Sequence, residues 1–182
     1  FHSGPAPHPE YFGAGFPAED KSAELPGAMG IYVSEVMWWL YRPLTFMIWG
    51  GVFERFPGLK AMIVEGGTMF MLPTWLRLMD FQFNEGNISA KLGDFRSHLS
   101  MQPSGYFERN VGIGASCVLR PDLDGRDDIG IEKIMWGSDF PHPEGSWPNT
   151  GQYFKDNFGN FPEADGRRIL GENPAEIYGL PR

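Results

Sequence analysis

The sequence predicts an α/β fold in which helices connect parallel strands. Short apolar runs at 59–65, 110–117 and 133–136 are typical of buried strands. Segments between and after them carry apolar residues at helical spacing, and Gly- or Pro-rich stretches separate the units. This order of strand, helix, strand, helix, strand and helix favours a parallel sheet with crossover helices.

The first part of the chain predicts a long loop followed by a long helix. Residues 3–30 are dense in proline and glycine, which indicates an irregular loop. Residues 31–50 show helical spacing of apolar side chains around most of the helix, so we expect this helix to be covered on more than one side. Pro43 predicts a kink. Glu35 and Arg42 interrupt the apolar stretch, which favours a buried helix over a membrane span.

The remaining elements follow the three strands. The first strand ends at Gly66-Gly67, and a helix over 69–83 comes next. Residues 84–104 are polar and rich in loop formers, with a short helix near Phe95. Further elements are a short acidic helix within 121–129, a loop at 140–150, and helices near 151–158, 163–170 and 173–178. The similar segments 51–55 and 105–109 each precede a strand, and we interpret their similarity as coincidence.

Composition limits the classes of partner. Lys and Arg total 15 against 23 Asp and Glu, which gives a net charge of −8. An acidic chain without a basic cluster is a poor candidate for binding nucleic acid or an anionic membrane. The single cysteine, Cys117, excludes an internal disulfide. These features agree with a cytoplasmic protein that acts on a small molecule.

Metal-competent side chains lie where the strands end, and parallel α/β folds bind ligands at those ends. Glu65 follows the first apolar run, Asp139 follows the last, and His142 lies shortly after it, while His2 stands at the chain start. Imidazole and carboxylate are ordinary zinc ligands, and carboxylates also suit manganese. We therefore expect one divalent cation, with Asp139 as ligand, proton acceptor or both, and Glu65 as a further ligand or general base.

Each of these residues also has a plainer interpretation. A lone histidine at the chain start, such as His2, is usually a terminal residue rather than a ligand, and Glu65 could cap the following helix or pair with an arginine. Asp139 could start an ordinary turn, although an acid directly after an apolar parallel strand favours function. Aromatic residues of the two long loops, together with His142, are candidates for substrate binding, or the aromatic residues pack on one another: Phe12, Phe16, Phe140 and Trp147.

Three longer motifs resemble the amidohydrolase-related family, in the branch similar to aminocarboxymuconate-semialdehyde decarboxylase. The first is GVFERFPGLK at 51–60 with VEGG at 64–67. The second is IMWGSDFPHPEG at 134–145, which resembles the strand-eight segment of that family. The third is ILGENPAEIYGL at 169–180, which resembles its terminal helix.

The resemblance implies a distorted (β/α)₈ TIM barrel with one catalytic divalent metal, most simply zinc. Residues 1–182 then form the C-terminal part of one amidohydrolase-related domain, strands five to eight, without its N-terminal part. His2 matches the metal-binding His of strand five. Asp139 matches the strand-eight Asp that binds metal and moves protons.

Two departures from the family pattern limit the function that the resemblance implies. The metal-binding pair of the family's first strand, His-x-His or Glu-x-His, has no match in this chain. Many relatives also carry a catalytic His at the end of strand six, where this chain has Glu65. The expected activity is metal-dependent hydrolysis or decarboxylation of a small, aromatic organic acid, by a protein that forms a homodimer at full length. The alternatives are a non-catalytic binding protein on the same scaffold and a standalone half-barrel that dimerises.

Overall fold

The structure is a computed structural model that describes residues 28–66, 71–85, 91–116 and 118–181, with side chains from residue 38 onward. In chain order the elements are α1 (Ala28–Trp49), α2 (Val52–Arg55), β1 (Ala61–Val64), α3 (Met71–Asn84), α4 (Pro103–Asn110), β2 (Val111–Ser116), α5 (Arg120–Asp124), β3 (Ile134–Gly137), α6 (Thr150–Phe158), α7 (Glu163–Arg167) and α8 (Asn173–Tyr178). The strands form a parallel sheet in the order β1-β2-β3, which confirms the predicted α/β fold.

One face of this sheet builds the hydrophobic core. The register aligns Ile63 of β1 with Ile113 of β2, and Ile113 with Ile134 of β3. All three side chains are buried, at 0%, 1% and 0% exposure. Side chains alternate between the faces of a strand, so the neighbouring residues point the other way. Those on the opposite face are Met62, Val64, Gly112, Gly114, Ser116, Met135 and Gly137.

Helices α1, α3 and α4 cover the core face. Helix α1 buries Leu40, Leu44 and Ile48, which lie four residues apart on one side. Fully burying such a side chain stabilises the fold by about 1.5–3 kcal/mol. Contrary to the expectation that this helix is covered on more than one side, the side of α1 opposite the core exposes Trp38 and Phe46, at 44% and 64%. None of the helices in the described ranges is long and apolar enough to cross a bilayer.

Several boundaries differ from those predicted, and one helix is new. Helix α4 takes in the last two residues of the expected loop and the segment 105–109, for which no element was predicted. Pro103 starts the helix at a position that tolerates proline. The acidic segment is split after α5, where Gly125 leads into a 3₁₀ turn over Arg126–Asp128. A π-helical turn, Arg168–Glu172, joins α7 to α8. Pro43 lies inside α1.

The similar segments 51–55 and 105–109 occupy equivalent places, on the short helices that precede neighbouring strands. Their phenylalanines, Phe53 and Phe107, are both buried. Arg109 donates from its guanidinium to the Phe53 carbonyl at 2.6 Å. Glu54 accepts hydrogen bonds from the hydroxyls of Tyr106 and Ser100. These bonds, led by the one from Tyr106, lower the pKa of Glu54 below its ordinary value.

Candidate metal centre

The carboxyl ends of the three strands meet at one edge of the sheet. β1 ends at Val64 and is followed by Glu65, while β3 ends at Gly137, two residues before Asp139. Strand β2 lies between them and ends at Ser116. The parallel order therefore brings to one edge two acids that are far apart in the sequence.

Glu65 and Asp139 share an unusual backbone conformation. Each has φ of 59°, in the left-handed region that non-glycine residues seldom adopt. Such a conformation costs about 1 kcal/mol or more, and residues that keep it cluster at functional sites. The backbone next to Glu65 is fixed, since Gly66 N donates to the Gly114 carbonyl at 3.3 Å. A buried Gly66 is needed there because a Cβ would lie 2.7 Å from the Ile113 side chain.

The loop after β3 folds back on itself and carries His142. His142 N donates to the Asp139 carbonyl at 2.8 Å, and Ser146 N donates to the Ser138 carbonyl at 3.0 Å. Gly145 lies at the centre of this loop. A Cβ on Gly145 would lie 2.7 Å from the Ser138 carbonyl oxygen and 3.0 Å from those of Asp139 and His142. The loop therefore packs backbone on backbone, which leaves no room for a side chain at residue 145.

Glu65, Asp139 and His142 form the candidate metal centre. One ligand atom from each lies within 4.8 Å of the others. His142 Nδ1 is 3.7 Å from Asp139 Oδ2, and 3.5 Å from Glu144 Oε1. The Asp139 side chain is 15% exposed and that of His142 is 53% exposed. The centre thus combines two half-buried carboxylates with one accessible imidazole.

This donor set fits a divalent cation. Two carboxylates and an imidazole are ordinary ligands for zinc, and they also suit manganese. Ligands of one ion bound at about 2.1 Å lie within about 4.2 Å of each other. A separation of up to 4.8 Å therefore needs only a small movement, which the exposed His142 side chain has room to make. Asp139, Glu65 and His142 are the residues that could hold the ion.

The other predicted site residues are placed as follows. Trp147 lies on the loop after β3 and packs edge-to-face against Phe140, with ring centroids 5.5 Å apart and both residues 63% exposed. The alternative that the loop aromatics pack on one another thus holds for this pair. His2 and Phe12 lie outside the described residues, so their roles as metal ligand and substrate contact remain predictions.

Sequence reasoning placed no weight on Gly145 and gave His142 a substrate-binding role. The structure places His142 beside the two acids, three residues after Asp139, and its substrate-binding role stays a prediction. Its spacing from Asp139 was visible in the sequence, but the loop path that joins them was not. No sequence signal identifies Gly145 as a required glycine, because the requirement comes from the carbonyl oxygens that surround it in the folded loop.

A separate cavity of about 480 Å³ lies away from this centre. It is lined by Trp49, Gln82, Leu92, Phe95 and His98. Trp49 ends the helix that leads toward β1, and Gln82 lies near the end of the helix that leaves β1. The cavity is therefore near the amino ends of the strands, on the side opposite to Glu65 and Asp139.

Comparison with known proteins relates part of the chain to amidohydrolases. An amidohydrolase family model matches residues 126–180, which include Asp139, His142 and Gly145. No protein with a curated function matches the chain.

Solved structures of amidohydrolase type share the fold. 5-Carboxyvanillate decarboxylase from Sphingomonas paucimobilis is 30% identical over 74% of this chain and 38% of its own, with a TM-score of 0.59. An amidohydrolase from Mycobacterium avium subsp. paratuberculosis K-10 is 28% identical over 76% of this chain and 32% of its own, with a TM-score of 0.57.

A third structure shows likeness of fold alone. It is a dihydroxybenzoic acid decarboxylase from Polaromonas sp. JS666, with bound manganese and the inhibitor 2-nitroresorcinol. It is 19% identical over 91% of this chain and 48% of its own, with a TM-score of 0.59. The chain spans less than half the length of each of these three structures. The family match over residues 126–180 and these likenesses confirm the resemblance to the amidohydrolase-related family that the motifs indicate.

Proposed function

We propose that this chain provides the catalytic face of a metal-dependent enzyme that decarboxylates or hydrolyses a small aromatic acid. The observation that carries the proposal is the convergence of Glu65, Asp139 and His142 at the carboxyl edge of a parallel sheet. Decarboxylation is favoured, because the similar structure at 30% identity is a decarboxylase of an aromatic acid.

The proposal includes a place for the chain within a larger barrel. Residues 1–182 form the C-terminal half of a (β/α)₈ barrel, with β1, β2 and β3 as its strands six, seven and eight. Their parallel order and the share of each solved structure that the chain covers support this assignment. His2 then lies on strand five as a further metal ligand, and Phe12 lies in the loop that follows it.

Asp139 has the central chemical role. Asp139, Glu65, His142 and His2 would hold the cation, which would supply positive charge against the negative charge that develops on substrate oxygens. In decarboxylation, the bond from the ring carbon to the carboxylate breaks, carbon dioxide leaves, and the electron pair stays on the ring carbon. Asp139 takes a proton from solvent and gives that proton to the ring carbon. In hydrolysis, Asp139 takes a proton from the attacking water and returns it to the leaving group.

Glu65 favours a second candidate, a binding protein on the same scaffold. Its carboxylate cannot act as a cationic acid or as a neutral imidazole base. A reaction that depends on a histidine at the position of Glu65 is therefore not open to this chain. In the second candidate, the protein binds metal and an aromatic acid but does not turn the acid over.

The test uses the whole protein and a panel of hydroxylated benzoic acids. The protein is stripped of metal, reloaded with zinc or manganese, and assayed for release of carbon dioxide and for hydrolysis products. The Asp139→Asn variant should lose at least about a thousandfold in kcat, because asparagine cannot exchange a proton. Asparagine tolerates the left-handed backbone, so the fold should survive.

The matched control is Asp127→Asn, which changes an exposed acid on the 3₁₀ turn. It should keep wild-type activity. Wild-type turnover in Asp139→Asn would overturn the assignment of Asp139. Binding of metal and acid without any turnover in the wild-type protein would favour the second candidate.

A further inference from the structure

The middle strand ends in a hydroxyl that the proposed reaction does not use. Ser116 is the last residue of β2 and pairs with Gly137 of β3. It therefore lies between the end of β1, which leads to Glu65, and the end of β3, which leads to Asp139. A side chain in this place is central to the carboxyl edge of the sheet.

The Ser116 side chain points away from the helical core. Its neighbour Ala115 is 0% exposed and belongs to the core, so the alternation of the strand turns Ser116 to the opposite face. Ile113 also belongs to the core, and Gly114 therefore shares the face of Ser116. Ser116 itself is half-buried.

The neighbours of Ser116 on this face are glycines. Gly114 lies two residues before it, and Gly137 is its partner across the ladder. A Cβ on Gly137 would lie 3.7 Å from Ser116 Oγ, and a Cβ on Gly114 would approach no atom closer than 3.7 Å. Close packing therefore does not demand glycine at either position. Because Gly114 and Gly137 have no side chains, they leave the hydroxyl of Ser116 accessible above the backbone of β2 and β3.

The hydroxyl of Ser116 has no hydrogen-bond partner among the residues that the structure describes. The serines of the loop after β3 differ in this respect. Ser138 Oγ accepts from Phe140 N at 3.3 Å, and Ser146 Oγ lies 3.2 Å from Thr150 Oγ1. Those two hydroxyls support the loop, whereas that of Ser116 supports no element of the fold.

We infer that Ser116 is a substrate-positioning residue, whose hydroxyl donates a hydrogen bond to a carboxylate or phenolic oxygen of the acid. This inference rests on the proposed function, since it assigns the substrate to the same site. The electrostatic reason is that the carboxylates of Glu65 and Asp139 offset the charge of the cation, so a neighbouring hydrogen-bond donor adds to the stabilisation of an anionic oxygen. A hydrogen bond to a charged oxygen is stronger than one between neutral groups.

The test measures binding as well as turnover. Benzoate and salicylate are titrated by calorimetry into the zinc-loaded whole protein and into its Ser116→Ala variant. We expect Ser116→Ala to raise Kd and KM about 10- to 100-fold, with little change in kcat and in zinc affinity. Ser116→Thr keeps the hydroxyl on a strand that accepts β-branched residues, and it should recover most of the affinity.

A second variant tests access to the hydroxyl without removing it. Gly137→Ala adds a methyl group at ordinary contact distance from Ser116 Oγ, so the fold should persist while Kd rises. Gly151→Ala is the matched control, because a Cβ there meets nothing within 4 Å. It should bind as the wild type does.

The outcomes separate the two proposals. If wild-type protein binds the acids in a Ser116-dependent way but turns none over, the inference stands and the proposed catalysis fails. If Ser116→Ala binds the acids as tightly as wild type, or if Ser116→Thr is as weak as Ser116→Ala, the inference is wrong. Failure of the wild-type protein to bind either acid would also overturn it.

Discussion

The two edges of the sheet use their polar residues in opposite ways. At the amino edge, buried polar side chains donate hydrogen bonds to the backbone around them. Asn110 is 1% exposed, and its amide donates to the carbonyls of Pro57 and Leu59 at 3.0 and 2.7 Å. Asn173 is 0% exposed and donates to the carbonyls of Ile131 and Ile134 at 2.7 and 2.8 Å. These bonds fix the points at which β1 and β3 begin.

At the carboxyl edge, polar side chains gather around a shared space instead. Glu65, Asp139 and His142 come from different segments and place their ligand atoms within 4.8 Å of one another. Two of the three hold a strained left-handed backbone. The difference teaches that the polar residues of the amino edge maintain the fold, whereas those of the carboxyl edge gather as candidate metal ligands, at the edge where parallel barrels carry their active sites.

The largest effect should come from replacing the side-chain amide of Asn173, which donates hydrogen bonds, by a carboxylate, which only accepts them. Asn173→Asp places a carboxylate against two carbonyl oxygens in a fully buried position. A buried charge without a partner costs about 3–5 kcal/mol, so the free energy of unfolding should fall by about that amount. Denaturant titration measures it. Asn149→Asp changes an exposed residue before α6 and should stay near wild type; equal stability of the two variants would contradict the account of the amino edge.

The next effect compares one histidine from each edge. His142→Ala should weaken zinc binding about a hundredfold or more, because it removes a ligand. It should leave stability without metal nearly unchanged, since the side chain is 53% exposed. His98→Ala removes an imidazole that lies 2.8 Å from the Trp49 carbonyl, so it should cost about 1 kcal/mol of stability with zinc affinity retained. Calorimetry measures the zinc affinity of both variants, and denaturant titration measures their free energy of unfolding. A loss of zinc affinity in His98→Ala together with a loss of stability in His142→Ala would contradict the comparison.

A smaller effect is expected for the loop that carries His142. Gly145→Ala forces backbone atoms apart, because a Cβ would lie 2.7 Å from the Ser138 carbonyl oxygen. Overpacking of this kind costs about 1–3 kcal/mol, and here it should also lower zinc affinity by displacing Asp139 and His142. Gly151→Ala is the control in open space. Unchanged zinc affinity in Gly145→Ala would show that the loop geometry does not set the site.

The smallest effect is a pH-dependent one at the amino edge. The hydroxyl of Tyr106 lowers the folded-state pKa of Glu54 below 4.5, its ordinary value, with help from Ser100 and the charge of Arg109. A lowered pKa stabilises the fold above the unfolded-state value, and this stabilisation is lost as the pH falls through the folded-state value. Tyr106→Phe should therefore destabilise the protein at pH 7 and approach wild type in acid. A stability difference that is constant from pH 7 to pH 3 would contradict this.

Much of the fold could be predicted from sequence because the core side chains are local signals. The strands were visible as apolar runs that end in glycine or acid, and α1 as a helical repeat of apolar residues. The buried residues of helix α4 lie at helical spacing, but the helix was missed because only Tyr106 and Phe107 among them are large apolar side chains. Its Tyr106 hydroxyl donates to Glu54, which lies 52 residues earlier, and a long-range contact of this kind leaves no local sequence pattern.

The site could be predicted only in part for a related reason. Glu65 follows β1 directly and Asp139 lies two residues after β3, so the parallel order alone brings them to one edge. His142 reaches them through a loop whose path depends on backbone hydrogen bonds between Ser138 and Ser146. No residue pattern encodes that path. The roles of His2 and Phe12 remain predictions.

The central claim is that the carboxyl edge of this sheet holds one divalent cation. The most direct measurement is a crystal structure of the zinc-loaded whole protein with anomalous scattering recorded at the zinc edge. The account predicts a single strong peak within about 2.0–2.2 Å of carboxylate oxygens or imidazole nitrogen from Asp139, Glu65 and His142. A zinc-loaded crystal with no peak at this edge, or with its peak at other residues, would contradict it.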